Sequence, residues 1–302
     1  MTSPSLTMPQ RAYPSTGRCI YCGEYPSAQT VLTEEHIIPE SLQGTWKLSG
    51  ACKQCAEKSN EEYENPVLQS DMVRTMRASL ALRRKRWKKK PPIRMPPLFV
   101  YGTSLKATLQ EEDYLPDDGD VTYPPIFFML LLEPALKLVG LDPQIPLDQR
   151  PIRLWLRAIE NPLNPGPVVI SDPAILRDAY TSKTDLLFSA NVNLGRAVSI
   201  RQRFPLRKFM RMLSKIAYCF AVAEHGFEKY KDSVLRKIVL GEREDLYNFV
   251  GGAINGEHLT DRYLHYLAFR KRGDFETVRV HLFSSYRAPA YEVAINDVTQ
   301  DW

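Results

Sequence analysis

The chain has 302 residues, of which 44% are hydrophobic and 25% charged, a composition typical of folded globular domains. No stretch approaches the roughly 20 uncharged apolar residues of a membrane span, residues 1–16 lack the features of a secretory signal, and five cysteines are too few for a disulfide scaffold. The composition therefore predicts a cytoplasmic protein with about two domains and no membrane-bound part.

The net charge of +5 comes from one short segment of the chain. Residues 1–65 carry five Lys/Arg against eight Asp/Glu, and residues 66–100 carry ten against one. The remaining 202 residues carry 25 against 26. Because the positive charge is concentrated in residues 66–100, this segment, rather than the overall pI, predicts a polyanionic partner.

Residues 1–17 and residues 18–65 differ in amino-acid composition. Residues 1–17 are polar, contain three prolines and show no periodicity, which predicts a flexible arm. Residues 18–65 contain two pairs of cysteines, Cys19/Cys22 and Cys52/Cys55, each separated by two residues. Two such pairs can complete a tetrahedral thiolate site, so the spacing predicts a structural Zn²⁺ ion rather than isolated buried cysteines or a redox pair.

A carboxylate and a histidine lie midway between the two cysteine pairs, in the sequence Glu35-His36-Ile37-Ile38-Pro39. Together with Cys19–Cys22 and Cys52–Cys55, this motif resembles the HNH endonucleases, in the branch whose catalytic hairpin is held by a four-cysteine zinc. The resemblance covers about 50 residues. It implies a ββα-metal, treble-clef-like domain over residues 18–65, with strands near 30–33 and 46–49 and a helix beginning near residue 53.

The resemblance also implies the roles of individual residues. His36 would be the general base that activates water, and Glu35 would bind a catalytic divalent ion, Mg²⁺ or Mn²⁺. Many HNH proteins place a ligand directly after the last cysteine, where this chain has Ala56. One turn further along the same helix face, Asn60 is the predicted substitute, and Glu64, four residues beyond it, is the second choice.

Residues 66–97 are predicted to form a basic amphipathic helix and a proline-rich linker. Apolar residues recur every four positions from Leu68, which predicts a helix from Pro66 to about Arg86 with its arginines on the exposed face. Seven of the eight residues Arg83–Lys90 are cationic, and such a density predicts contacts to phosphates. The residues predicted to bind nucleic acid are Arg74, Arg77, Arg83, Arg84, Lys85, Arg86, Lys88, Lys89 and Lys90.

Residues 98–302 are predicted to form a larger mixed α+β domain that ends in an antiparallel meander. This region has no role in the family resemblance, and it is a candidate surface for a protein partner. The predicted strands are Leu98–Tyr101, Ile126–Leu131, Arg153–Ala158, Tyr263–Arg270, Phe275–Leu282 and Tyr291–Ile295, and the predicted helices are Arg203–Gly226 and Lys229–Leu240.

Two functions are consistent with these patterns. The first is a metal-dependent HNH endonuclease that cuts duplex DNA, in a bacterial or phage setting such as defence, with RNA as an open alternative substrate. The second is a zinc-stabilised nucleic-acid-binding or scaffold module with weak or lost nuclease activity. The absence of a ligand residue at Ala56 favours the second function, whereas the motif around His36 favours the first.

Overall fold

A computed structural model describes eleven stretches of the chain. They are residues 9–27, 30–79, 98–101, 107–108, 126–140, 150–158, 168–169, 173–181, 185–193, 197–254 and 263–297. The predicted basic run Arg83–Lys90 and the linker 91–97 lie outside these residues.

The secondary structure mixes helices and strands, which confirms the predicted α+β class; the treble-clef-like description stays a prediction. The strands are β1 (Arg11–Tyr13), β2 (Leu32–His36), β3 (Trp46–Cys52), β4 (Leu98–Tyr101), β5 (Ala107–Thr108), β6 (Ile126–Leu131), β7 (Arg153–Ala158), β8 (Val168–Val169), β9 (Leu186–Asn193), β10 (Ala197–Phe204), β11 (Val250–Gly252), β12 (His265–Arg272), β13 (Phe275–Leu282) and β14 (Tyr291–Asp297). The helices are α1 (Lys53–Ser59), α2 (Asn65–Leu68), α3 (Asp71–Ser79), α4 (Pro173–Thr181), α5 (Leu206–His225), α6 (Phe227–Tyr230) and α7 (Val234–Leu240).

The chain divides into two compact units that are not contiguous in sequence. The first unit contains residues 1–66, 133–145 and 207–302, and the second contains 67–132 and 146–206. The predicted domain 98–302 is thus shared between the units, and its last 96 residues belong to the same unit as the cysteine-bearing segment. Local composition did not predict this division, because the division depends on which segments that are distant in sequence pack together.

The first unit contains a small three-stranded sheet in the order β1-β3-β2. Strands β2 and β3 form an antiparallel hairpin in which Leu32 lies opposite Cys52 and His36 lies opposite Lys47. Strand β1 runs parallel to β3, with Arg11 opposite Trp46. Residues 11–13 are therefore a strand and not part of a flexible arm, because the edge of β3 supplies them with backbone partners.

The same unit contains a four-stranded antiparallel sheet and the long helix α5. The sheet has the order β11-β14-β13-β12. Helix α5 has apolar or small residues on all sides from Met212 to Val222, with Lys215 as the one charged residue in that stretch. A helix that is apolar all round is buried, and Leu213, Ile216 and Ala217 have no exposed surface.

The second unit contains two antiparallel sheets, in the orders β5-β4-β10-β9 and β6-β7-β8. Helix α3 packs against β6 and β10. The predicted single helix from Pro66 is interrupted, because α2 ends at Leu68 and α3 begins at Asp71. Its predicted exposed face is wrong as well: Arg77 is 5% exposed and Arg74 is half-buried. Burial of Arg77 follows from packing against two strands, which covers more of the helix than one apolar stripe.

Candidate active site and zinc site

The four paired cysteines come together at one end of the β2–β3 hairpin. Cys19 and Cys22 precede β2, Cys52 ends β3, and Cys55 lies in the first turn of α1. Their sulfur atoms all lie within 4.8 Å of one another. The amide of Cys52 also donates a hydrogen bond to the Cys19 sulfur at 3.3 Å.

The donor chemistry of this cluster fits Zn²⁺. A hydrogen bond from the Cys55 thiol, acting against burial, lowers the pKa of Cys19 to about 4, whereas burial and the neighbouring sulfurs raise the pKa of Cys22 to about 11. Four thiols at this separation cannot all ionise without a cation, because each thiolate disfavours the next. A Zn²⁺ ion would supply that charge, and four thiolates in a tetrahedral arrangement would leave it no open position for catalysis.

The hairpin carries its two conspicuous side chains on opposite faces. Side chains alternate along β2, so Glu34 and His36 share one face while Glu35 lies on the other. Glu35 is 7% exposed, and His36 is partly exposed. Lys47, opposite His36 on β3, forms an ion pair with Glu34 at 2.8 Å.

The imidazole of His36 is held in one orientation by the loop of the hairpin. Its Nδ1 atom lies 3.2 Å from the carbonyl oxygen of Gly44. Since a carbonyl only accepts, Nδ1 carries the hydrogen and the neutral ring has its free electron pair on Nε2. The position requires glycine, because a Cβ at Gly44 would lie 1.9 Å from the Ile38 carbonyl oxygen.

A buried lysine lies beneath the hairpin. Lys215 of α5 is 1% exposed, and its ammonium donates to the main-chain oxygen of His36 at 2.6 Å. The same ammonium forms ion pairs with Glu35 and, at 2.9 Å, with Glu64. Burial by itself would lower the pKa of Lys215, but the two carboxylates hold it well above its usual value, so the lysine is charged.

One family model covers both the cysteine cluster and the Glu35-His36 motif. Residues 19–72 match the model of the HNH endonuclease family. This match confirms the resemblance predicted from the cysteine pairs and the Glu35-His36 motif. No curated protein and no solved structure matches the chain. We refer to residues 19–72 as the HNH segment.

None of the helices in the described residues is long and apolar enough to cross a membrane.

The residues predicted to hold a catalytic divalent ion do not form a ligand set in this arrangement. Asn60 is exposed at the end of α1, whereas Glu35 is buried and paired with Lys215. Among the described residues, Glu64 is the carboxylate that shares this lysine with Glu35. A protein cation therefore already occupies the space between the two carboxylates, and the residues do not fit a divalent ion there.

Helix α5 makes several side-chain contacts with the HNH segment that the sequence did not predict. Besides Lys215, Arg211 pairs with Glu62 at 2.8 Å, and the Tyr218 hydroxyl donates to the Ile20 carbonyl at 2.6 Å. Positions 211, 215 and 218 follow one helix face. The sequence contained a signal for Lys215: a lone charge in an otherwise apolar helix needs a buried partner.

A second distant residue holds the loop between β2 and β3. The Nε2 atom of His265 in β12 donates to the Leu42 carbonyl at 2.7 Å, and its Nδ1 accepts from the Phe283 amide at 3.2 Å. His265 is 1% exposed, and burial lowers its pKa to about 4, so the ring is neutral at neutral pH. These two hydrogen bonds connect the loop to β12 and to the residue that follows β13.

Proposed function

We propose that the HNH segment is the catalytic part of a nuclease that hydrolyses phosphodiester bonds in DNA, with His36 as the general base. The orientation of His36 carries this proposal. Its Nδ1 is engaged by the Gly44 carbonyl, which leaves the basic Nε2 of a partly exposed ring available to a water molecule. An imidazole nitrogen that is free in this way can accept a proton from that water.

The surroundings of His36 suit a phosphate substrate. The activated water would attack phosphorus, and the transition state would gain negative charge that needs a nearby cation. Lys47 lies directly across the hairpin from His36 and is partly exposed, and its ammonium, which pairs with Glu34 at 2.8 Å, would have to exchange that partner for the phosphate. Among the residues that the structure describes, those predicted to bind the catalytic Mg²⁺ or Mn²⁺ implied by the resemblance do not form a ligand set.

The proposed substrate is DNA because of the charge pattern and the family match. The cationic residues of Arg83–Lys90 would contact backbone phosphates and release counterions, which supplies affinity without sequence preference. Duplex DNA is the first substrate to test, and RNA is the alternative that the same residues would accept.

The His36→Ala variant tests this function on supercoiled plasmid DNA. Loss of a general base lowers the cleavage rate by about 10²- to 10⁴-fold. Binding of the same DNA, measured by gel shift, should be unchanged. His225→Ala is the matched control, since His225 is an exposed histidine at the end of α5, and it should cut at the wild-type rate. Equal cleavage by His36→Ala and wild type would contradict the proposal.

A second candidate function is a zinc-stabilised module that binds nucleic acid without cutting it. The cation between Glu35 and Glu64 and the alanine after Cys55 favour it. Under this function, wild type leaves plasmid, single-stranded DNA and RNA intact with Mg²⁺ or Mn²⁺, and His36→Ala changes nothing. Charge reversal across Arg83–Lys90 would abolish binding under either function.

A further inference from the structure

We infer that the ammonium of Lys215 is the resident cation of the HNH segment, in place of a divalent ion. It joins Glu35 and Glu64 and holds the main chain of His36, so Lys215 is a positioning residue for the general base. The second part of this inference rests on the proposed function of His36; the exclusion of a divalent ion does not.

The contacts of Lys215 converge on one point. Its Nζ is an ion-pair partner of Glu35 in β2 and of Glu64, which ends the π-helical turn Asn60–Glu64. It also lies 2.6 Å from the His36 carbonyl oxygen. One buried ammonium thus connects the catalytic strand, the turn that follows α1, and α5. These are the elements that a bound metal ion would otherwise have to join.

The charge balance explains why a divalent ion is excluded. Glu35 and Glu64 supply at most two negative charges between them, and Lys215 already supplies one positive charge at the same point. A divalent ion at the same carboxylates would have to lie beside a buried ammonium, and like charges repel strongly away from bulk water. Removing the ammonium leaves two neighbouring carboxylates, which are hard oxygen ligands of the kind that Mg²⁺ and Mn²⁺ prefer.

The Lys215 position also determines the backbone of the catalytic strand. The side chain of Glu35 points into the unit, and the carbonyl of His36 is drawn toward the same ammonium. This fixes the local strand conformation from which the His36 ring projects to the opposite face. Lys215 therefore acts on catalysis through His36 and does not contact the substrate itself.

Binding of Mn²⁺ to zinc-loaded protein, measured by electron paramagnetic resonance, tests the exclusion. Wild type should show no saturable Mn²⁺ site in the HNH segment. Lys215→Ala should gain one saturable site and bind Mn²⁺ at least about tenfold more tightly than wild type does. Lys215→Ala/Glu64→Gln should lose that site. Arg211→Ala is the matched control on the same helix face: it removes an ion pair with Glu62 and should gain no site.

Two outcomes of the Mn²⁺ binding experiment would overturn the inference. A stoichiometric Mn²⁺ site in wild type that Glu35→Gln removes would overturn the inference. So would Lys215→Ala without a new site, because the ammonium would then not stand where a divalent ion can bind. If Lys215→Ala unfolds, restoration of its folding by Mn²⁺ or Mg²⁺ supports the inference, and failure of both ions to restore it overturns it.

Cleavage assays separate this inference from the proposed function. Zinc-loaded wild type in buffer freed of other divalent ions should cut DNA as fast as it does with added Mg²⁺. Lys215→Ala should lose cleavage and regain part of it when Mg²⁺ or Mn²⁺ is added. If wild type cuts nothing under any condition, the proposed nuclease function fails, and the Mn²⁺ binding comparison still decides whether Lys215 excludes a divalent ion.

Discussion

The HNH segment contains a cluster of four cysteines and a pair of glutamates, and the two groups differ in the cation that lies beside them. At one end of the hairpin, four cysteine sulfurs lie within 4.8 Å of one another and no lysine or arginine is among their described contacts. On the buried face of β2, Glu35 and Glu64 share Lys215. The comparison shows one cluster whose donor atoms suit a metal ion and another whose carboxylates already have a lysine as counter-charge.

The two clusters also differ in what their loss should cost. If the cysteine cluster holds an external ion, that ion can be removed without changing any residue. The carboxylate pair carries its cation on α5, so it can be disturbed only by mutation. The predictions below test this difference, beginning with the largest expected effect.

Removing a zinc ligand should have the largest effect. Cys52→Ser should lower the zinc content from one ion per chain to almost none and unfold the HNH segment. Structural zinc sites contribute about 10–16 kcal/mol in small domains, which exceeds the stability of most folded units. Metal analysis and thermal unfolding by circular dichroism measure both effects.

Cys219→Ala is the control for the zinc prediction. Cys219 is fully buried but lies outside the cluster, next to the Tyr21 hydroxyl at 3.4 Å. This variant should keep its zinc. A Cys52→Ser protein with a full complement of zinc and an unchanged melting temperature would show that the cysteines do not hold the ion.

Removing Lys215 should have the next largest effect on stability. Lys215→Ala leaves the buried Glu35 and the partly buried Glu64 without their cation, and loss of one partner of a buried ion pair costs about 3–5 kcal/mol. The triple variant Lys215→Met/Glu35→Gln/Glu64→Gln removes all three charges and should be far less destabilised, since an uncharged replacement of a buried ion pair is often close to neutral. Urea denaturation in the presence of zinc measures both variants.

This pair of variants would sharpen the comparison between the clusters. If the single and triple variants lose the same free energy of unfolding, the cost is one of packing and not of charge. In that case Lys215 would stabilise the protein by filling space rather than by its charge.

The third prediction concerns a side chain that is buried without charge. The pKa of His265 falls from 6.5 in the unfolded chain to about 4 in the folded protein because of burial. A depressed pKa means that the unfolded state takes up the proton first. The stability due to the neutral ring is therefore complete above pH 6.5 and is lost as the pH falls toward 4, by about 2 kcal/mol at pH 5.

The pH prediction is measured as a difference between two proteins. Wild type should lose about 2 kcal/mol more than His265→Gln between pH 7 and pH 5 in urea denaturation, with zinc present throughout. His225→Gln removes an exposed histidine and should follow wild type. Parallel curves for wild type and His265→Gln would show that His265 does not titrate on unfolding.

Some elements were predicted from the sequence with the bounds that the structure has. Strands Leu98–Tyr101, Ile126–Leu131, Arg153–Ala158 and Phe275–Leu282 agree at both ends, because short apolar runs between turn residues are a local signal. The long helix was predicted three residues too early, since Phe204 continues β10 and Pro205 separates the two elements. Phe204 has the same apolar character in either element, so periodicity alone did not distinguish them.

The candidate site divides in the same way. The cysteine pairs and the Glu35-His36 motif are close in sequence, and their spacing was sufficient to predict the four-cysteine cluster and the HNH family match of residues 19–72. Asn60 was chosen over Glu64 because it is nearer to the missing position at Ala56. The structure instead exposes Asn60 and turns Glu64 toward Lys215, since the helix continues through a π-helical turn that changes which side faces inward.

By itself, the sequence determined the cluster of four thiols, the Glu35-His36 motif and the concentration of positive charge after residue 65, because each depends on residues close together in the chain. Tertiary structure decided which cation lies beside Glu35. Lys215 is 179 residues from His36, and only the packing of α5 brings its ammonium to the hairpin. A buried charge must find its partner wherever the fold places one, and spacing along the chain does not record that distance.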